Sequence, residues 1–144
     1  MTTIALDSNG LVACDTREIA GSTIVDDNCD KHTKVGDVHF WYAGRSSDEP
    51  LIVDAIISEP LPEYPKSVFI TALVWLDGQF YTAGITPDEG FYFQIERKGN
   101  PVALGSGQHH ALTAMDLGKS AKEAVKYASK RDVNTSSKAR IWQF

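Results

Sequence analysis

The sequence predicts an α+β fold in which helices pack on antiparallel sheets. Three observations carry that expectation. The turn signals Asn9-Gly10 and Asp77-Gly78 each separate two short, β-prone apolar runs. After Gly105-Ser106-Gly107 the apolar period changes from two to about 3.6, the spacing of a helix face. Ser120 with Glu123 three residues later then forms a capping box ahead of an apolar stripe.

In chain order, residues 2–6 read as a strand, Ser8-Asn9-Gly10 as a tight turn and residues 11–14 as the returning partner. Residues 19–25 read as a further strand, ended by the polar turn Asp26-Asp27-Asn28, and residues 38–43 as an aromatic-rich strand broken by Gly44. Ser47 or Asp48 is placed to cap a short helix through Ile57, with Pro50 in the first turn, where a missing N–H costs little. Pro60-Leu61-Pro62-Glu63-Tyr64-Pro65 forbids helix and reads as a loop. Residues 67–76 and 79–85 form a hairpin about Asp77-Gly78; residues 91–96 and 101–104 continue the strands, as a second sheet or an extension of the first. Ala111, Leu112 and Met115 are expected on one face of the next helix, and Ala121, Ala124, Val125 and Ala128 on that of the helix capped by Ser120. Residues 139–142 close as a strand, giving a single domain over 1–144.

Composition narrows the function classes. Hydrophobic content of 42% with 23% charged residues is that of a soluble globular protein, and no apolar run is long enough to span a bilayer. A formal charge of −5 argues against a phosphate-binding surface and so against nucleic acid, the lysines of residues 119–131 reading as one solvated helix face. Cys14 and Cys29 lack metal-ligand spacing, and His109 and His110, neighbours about 100° apart on a helix, make a poor ligand pair. The start has no basic segment followed by an apolar one, so the expected compartment is the cytoplasm.

The chemistry points to Thr2. If Met1 is removed, which a small second residue favours, Thr2 carries both a hydroxyl nucleophile and a free α-amine. An α-amine titrates at about 7.7–8.0, so near neutral pH a useful fraction is unprotonated and can accept the hydroxyl proton.

The surrounding blocks resemble a known family, the threonine peptidases of the proteasome β-subunit and HslV type among the N-terminal nucleophile (Ntn) hydrolases. Thr2-Thr3-Ile4, then Ala13-Cys14-Asp15-Thr16-Arg17 and Gly21, resemble its first two blocks. The run from Asp30-Lys31-His32 through Gly36-Asp37 to Ala43-Gly44-Arg45-Ser46-Ser47-Asp48 resembles its lysine block and helix entry. Gly105-Ser106-Gly107, then Gly118-Lys119-Ser120-Ala121 and Asp132-Val133-Asn134-Thr135, resemble its C-terminal helices and active-site serine and aspartate.

The resemblance implies a four-layer αββα sandwich, no cofactor and no metal, and a set of roles. Thr2 would be the nucleophile, Lys31 the ammonium that favours its ionised oxygen and holds the α-amine neutral, and Asp15 the partner of Lys31. Gly44 would offer its N–H to the oxyanion, and Ser106 and Asp132 would bond around the amine and the attacking water. Arg17, Gly107 and Thr135 would support the site, and Glu18, Cys29, Thr33, Tyr42 and Ser46 would line the substrate pocket. Ser106 as a helix cap, Asp132 as a turn residue and Arg17 in a surface ion pair are the plain alternatives. The substrate would be a peptide or unfolded protein and the assembly a homo-oligomer, a ring being one such form, with an ATPase partner left open and no membrane or nucleic acid involved. One departure stands out: where the family carries two long helices after its early aspartate, residues 48–57 supply one short helix, a reduced helical layer. Two other functions share these blocks, a catalytically silent assembly or interaction module and an Ntn amidohydrolase of small amides.

Overall fold

The computed structural model describes residues 2–144; Met1, on whose removal the nucleophile depends, lies outside the described residues. Among these, the chain runs β1 (Thr3–Leu6), β2 (Leu11–Asp15), β3 (Glu18–Ala20), β4 (Thr23–Asp26), β5 (His32–Val35), β6 (Val38–Gly44), a 3₁₀ turn (Ser46–Asp48), α1 (Glu49–Ile57), β7 (Ile70–Leu76), β8 (Gln79–Thr86), β9 (Gly90–Ile95), β10 (Val102–Gly105), α2 (Gln108–Asp116), α3 (Ala121–Ala128) and β11 (Ala139–Gln143). It forms two compact units, one of the residues up to Lys31 with Lys98–Phe144, the other His32–Arg97.

In the first unit an antiparallel sheet of order β10-β1-β2-β11 carries α2 and α3. The interface is built of small side chains: Ala5 and Ala13 from the sheet meet Ala111, Ala114, Ala121, Ala124 and Ala128, with Val125 and Met115 filling between. Alanine costs a helix nothing in side-chain entropy and lets its backbone lie close to the strands. At the start of α3 the Ser120 hydroxyl accepts from Glu123 N–H while the Glu123 carboxylate accepts from Ser120 N–H. Asp7 completes this end. Its Oδ1 accepts from Asn9 N and Leu11 N in the β1–β2 turn, and its Oδ2 accepts at 2.9 Å from Ala121 N, an otherwise unpaired donor of the first helical turn. One carboxylate thus joins the hairpin to the helix.

The second unit is a five-stranded antiparallel sheet, β5-β6-β7-β8-β9, with α1 packed against β7 and β8. Period-two alternation sorts β6. Phe40 and Tyr42 join Ile52, Ile70, Val74 and Ile85 in the core, while Trp41 faces His32, His39 and Phe80. Pro50 lies in the first turn of α1 as expected, but Asp48 does not cap it through its side chain; the carboxylate instead accepts from Phe69 N at 3.0 Å, tying the helix entry to the residue just before β7. No helix of the described residues is long and apolar enough to cross a membrane.

Several elements differ from the sequence expectation. The single strand over 19–25 is a hairpin, β3 and β4, turning at Gly21-Ser22 with Gly21 at φ +63°. β5 occupies a polar run with no apolar alternation, because it is an edge strand whose Thr33 and Lys34 are exposed. Of the two alternatives left open for residues 91–96 and 101–104, each holds for one strand: β9 stays with the β7–β8 sheet, and β10 extends the first sheet, pairing with β1, Thr3 opposite Gly105 through Leu6 opposite Val102. In α2 the buried stripe is Ala111, Ala114 and Met115, and Leu112 is exposed. Cys14 is buried and Cys29 half-buried, both as free thiols.

Candidate active site

The site is built around the start of β1. The β1–β2 ladder ends at Ile4–Cys14, and the β1–β10 ladder at Thr3–Gly105, so Thr2 and Ser106 are the next residues on their strands. Thr2 is buried. Beyond the ladder with β2, a side chain takes the place of a strand carbonyl: Thr3 N–H donates at 2.9 Å to Asp15 Oδ1.

Asp15 has a fully buried side chain that accepts four hydrogen bonds. Oδ1 takes Thr3 N and, at 3.0 Å, Lys31 Nζ; Oδ2 takes Arg17 N at 3.1 Å and Ser136 N at 3.0 Å. Lys31 is itself 9% exposed, so the ion pair is shielded from water and an ammonium is held on the same oxygen as the amide that follows Thr2. Such a pair needs its remaining lone pairs satisfied to offset desolvation, and the backbone donors do so.

Asp132 forms a second hub. Its Oδ2 accepts from Ser106 Oγ at 2.6 Å and from Thr135 Oγ1 at 2.7 Å, and its Oδ1 from Asn134 N at 3.1 Å. Burial works against its ionisation, but the bonds from Ser106, Thr135 and Asn134 outweigh it and hold the carboxyl below its ordinary value. Thr135 Oγ1 also lies 2.6 Å from Thr3 Oγ1. Thr135 has one hydroxyl proton, and it goes to the Asp132 carboxylate, so Thr3 is the donor to Thr135. Gly107 sits against this chain of hydroxyls: a methyl group there would collide with Thr3 Oγ1 and crowd Ala128 and Thr135. It also provides the N-cap position of α2, leaving Ser106 turned to Asp132 rather than to the helix.

The first unit therefore brings Asp15 to Lys31 and Ser106 to Asp132 and Thr135, both groups touching Thr3. Arg17 forks onto Asp27 (Nε to Oδ1 3.0 Å, Nη2 to Oδ2 3.3 Å) and donates from Nη1 to Val133 O at 3.0 Å, bracing the loop between Asp132 and Thr135. Glu18 and Cys29 also meet: burial and the neighbouring Glu18 raise the Cys29 thiol. Glu18, Asp26 and Cys29 could together hold a metal ion, one ligand atom of each lying within 4.8 Å of the others. The two acids are exposed, and such groups are common without one.

Gly44, Thr33, Tyr42 and Ser46 belong to the second unit. Gly44 ends β6 at φ +121°, and a Cβ there would lie 2.7 Å from Phe69 O, so only glycine fits. Burial pushes the Tyr42 hydroxyl to about 12, against a hydrogen bond with Thr33 that pulls it down. Ser46, opening the 3₁₀ turn, is exposed.

Sequence reasoning missed Thr3 and Ser136 as site residues. A threonine in a strand carries no signal beyond β propensity, and Thr3 Oγ1 meets Thr135, and Ser136 N–H meets Asp15, across more than a hundred residues of chain.

Solved structures resemble this chain over its whole length. Eukaryotic HslV from Trypanosoma brucei superposes with a TM-score of 0.72 at 19% identity, covering 99% of this chain and 100% of that one. Thiobacillus denitrificans BPH in complex with epoxomicin gives 0.71 at 17% identity, covering 100% and 98%, and the same protein without that compound gives 0.71 at 16%, covering 100% and 97%. No family model and no curated protein matches the sequence. The fold is that of the HslV and proteasome β-type Ntn hydrolases, an α+β sandwich here with three α-helices among the described residues.

Proposed function

We propose that the chain is a threonine-type peptidase whose nucleophile is Thr2 Oγ1, exposed at a new N-terminus when the residue before it is removed. The observation that carries this reading is the pairing of Lys31 with Asp15 on the oxygen that also holds Thr3 N–H, beside the Ser106–Asp132–Thr135 hub reached through the same residue. Thr2 Oγ1 attacks a peptide carbonyl and passes its proton to the α-amine, directly or through a water. The tetrahedral intermediate collapses as the protonated amine returns a proton to the leaving nitrogen, leaving an ester on Thr2. The neutral amine then activates a water, which hydrolyses the ester and restores the hydroxyl. The Lys31 ammonium stabilises the developing negative charge on oxygen and disfavours a second positive charge on the amine. Ser106 and Asp132 orient amine and water, and Gly44 is carried over from the resemblance as the oxyanion donor.

The substrate on this reading is a peptide or unfolded protein, lined by Glu18, Cys29, Thr33, Tyr42 and Ser46. The two units act as one domain, and copies associate in the cytoplasm into a homo-oligomer that hides Thr2 from folded proteins; light scattering tests the association. Thr2→Ala and Lys31→Ala are each expected to abolish turnover of a fluorogenic peptide while the far-UV circular dichroism stays that of the parent. Wild-type turnover in Thr2→Ala would end the proposal.

A further inference from the structure

We infer that Thr3 is the positioning residue of this site: its amide N–H on Asp15 and its hydroxyl on Thr135 together set the orientation of Thr2 between the two carboxylate hubs. The inference rests on the peptidase reading for its kinetic consequence, but the geometry belongs to Thr3 alone.

Thr3 is fully buried and is the first residue of β1, held by a strand ladder on the β10 side only. Thr2 lies beyond both ladders, so neither sheet neighbour dictates its orientation. Two bonds from Thr3 supply what the ladders do not. The Thr3 N–H belongs to the peptide plane that begins at Thr2, and its 2.9 Å bond to Asp15 fixes that plane. The hydroxyl, donating at 2.6 Å to Thr135 Oγ1 and through it at 2.7 Å to Asp132, fixes rotation of the strand end about its axis. One anchor leads to the acid that pairs with Lys31, the other to the acid that binds Ser106. Losing either leaves the Thr2 oxygen free to swing relative to both. Gly107 keeps room for the hydroxyl, since any larger residue would occupy its place.

The test compares Thr3→Ala, which removes the hydroxyl, with Thr3→Ser, which keeps it and loses only a methyl group. Thr3→Val is a poor probe, because a methyl carbon cannot sit 2.6 Å from Thr135 Oγ1. For Thr3→Ala the expected result is a fall in kcat of about 10- to 100-fold with KM little changed, the scale of misplacing a reacting atom by a fraction of an ångström to one ångström. Thr3→Ser is expected to restore kcat to within a few-fold of the parent. The ¹³C-methyl order parameter of Thr2, measured on the same proteins, should drop in Thr3→Ala and recover in Thr3→Ser. If Thr3→Ala does not fold, Thr135→Ala, which removes the acceptor of the Thr3 hydroxyl, takes its place against Thr135→Ser. Equal order parameters in all variants would overturn the inference, as would equal losses in the Ser and Ala proteins. A parent without peptidase activity would defeat the peptidase reading, while the Thr2 order parameters would still decide the role of Thr3.

Discussion

Replacing Asp15 by asparagine tests the energetic centre of the first unit. The two side chains have the same shape, but asparagine offers one acceptor oxygen and one NH₂ group in place of two acceptors. With NH₂ on the Oδ1 side, it faces Thr3 N–H and the Lys31 ammonium; on the Oδ2 side, it faces Arg17 N–H and Ser136 N–H. Either way two donors lose a bond to this side chain, and Lys31, 9% exposed, loses the Asp15 charge beside it. A buried donor left unsatisfied costs about 1–3 kcal/mol, and breaking a buried ion pair from one side about 3–5 kcal/mol. These routes overlap, so the expected loss is about 4 kcal/mol, a large part of the roughly 5–15 kcal/mol that stabilises a domain. At about 3 °C per kcal/mol for a chain of this size, the melting temperature should fall by about 12 °C. Urea unfolding followed by tryptophan fluorescence measures the loss directly. Lys31→Met is the control and should cost less, since Asp15 then keeps three backbone donors. A loss below about 1 kcal/mol in Asp15→Asn, with an unchanged denaturant slope, would refute the reasoning.

Asp132, whose folded pKa lies below the ordinary 3.8, contributes stability that is fully present above the unfolded value and is lost as pH falls through the lower folded one. The stability difference between the parent and Asp132→Asn should therefore be flat above about pH 5 and shrink below about pH 4; a difference that grows on acidification would reverse the sign. Burial raises both thiols, far more for Cys14 than for the half-buried Cys29. In native protein a thiol-specific reagent should modify Cys29 slowly and Cys14 only on unfolding, and equal rates would contradict the packing of β2.

The parts of the fold that were legible in the sequence are those whose physics is local. Ser120 and Glu123 are three residues apart, and Ala121, Ala124, Val125 and Ala128 repeat at helical spacing, so capping and core face are readable together. The face of α2 misleads because Leu112 is the more apolar residue, yet Ala114 shares the stripe of Ala111 and Met115 while Leu112 lies about 100° off Ala111. The pairing of β10 with β1 joins residues about a hundred positions apart, and nothing in Val102–Gly105 states which edge it will find. The same division runs through the site. Lys31, Asp15, Ser106 and Asp132 stand out as blocks with the order of a known family, whereas Thr3 looks like any strand threonine until its hydroxyl is seen against Thr135. Its importance comes from which ladder stops where, a property of the assembled sheet.

The most direct measurement of the central claim is the intact mass and peptide map of purified protein after exposure to an epoxyketone, an electrophile that can react with both the hydroxyl and the amine of a terminal threonine. The expected result is a chain that begins at Thr2 and carries one adduct, located on that residue and absent from Thr2→Ala. A chain that retains Met1, or an adduct on any other residue, would contradict it.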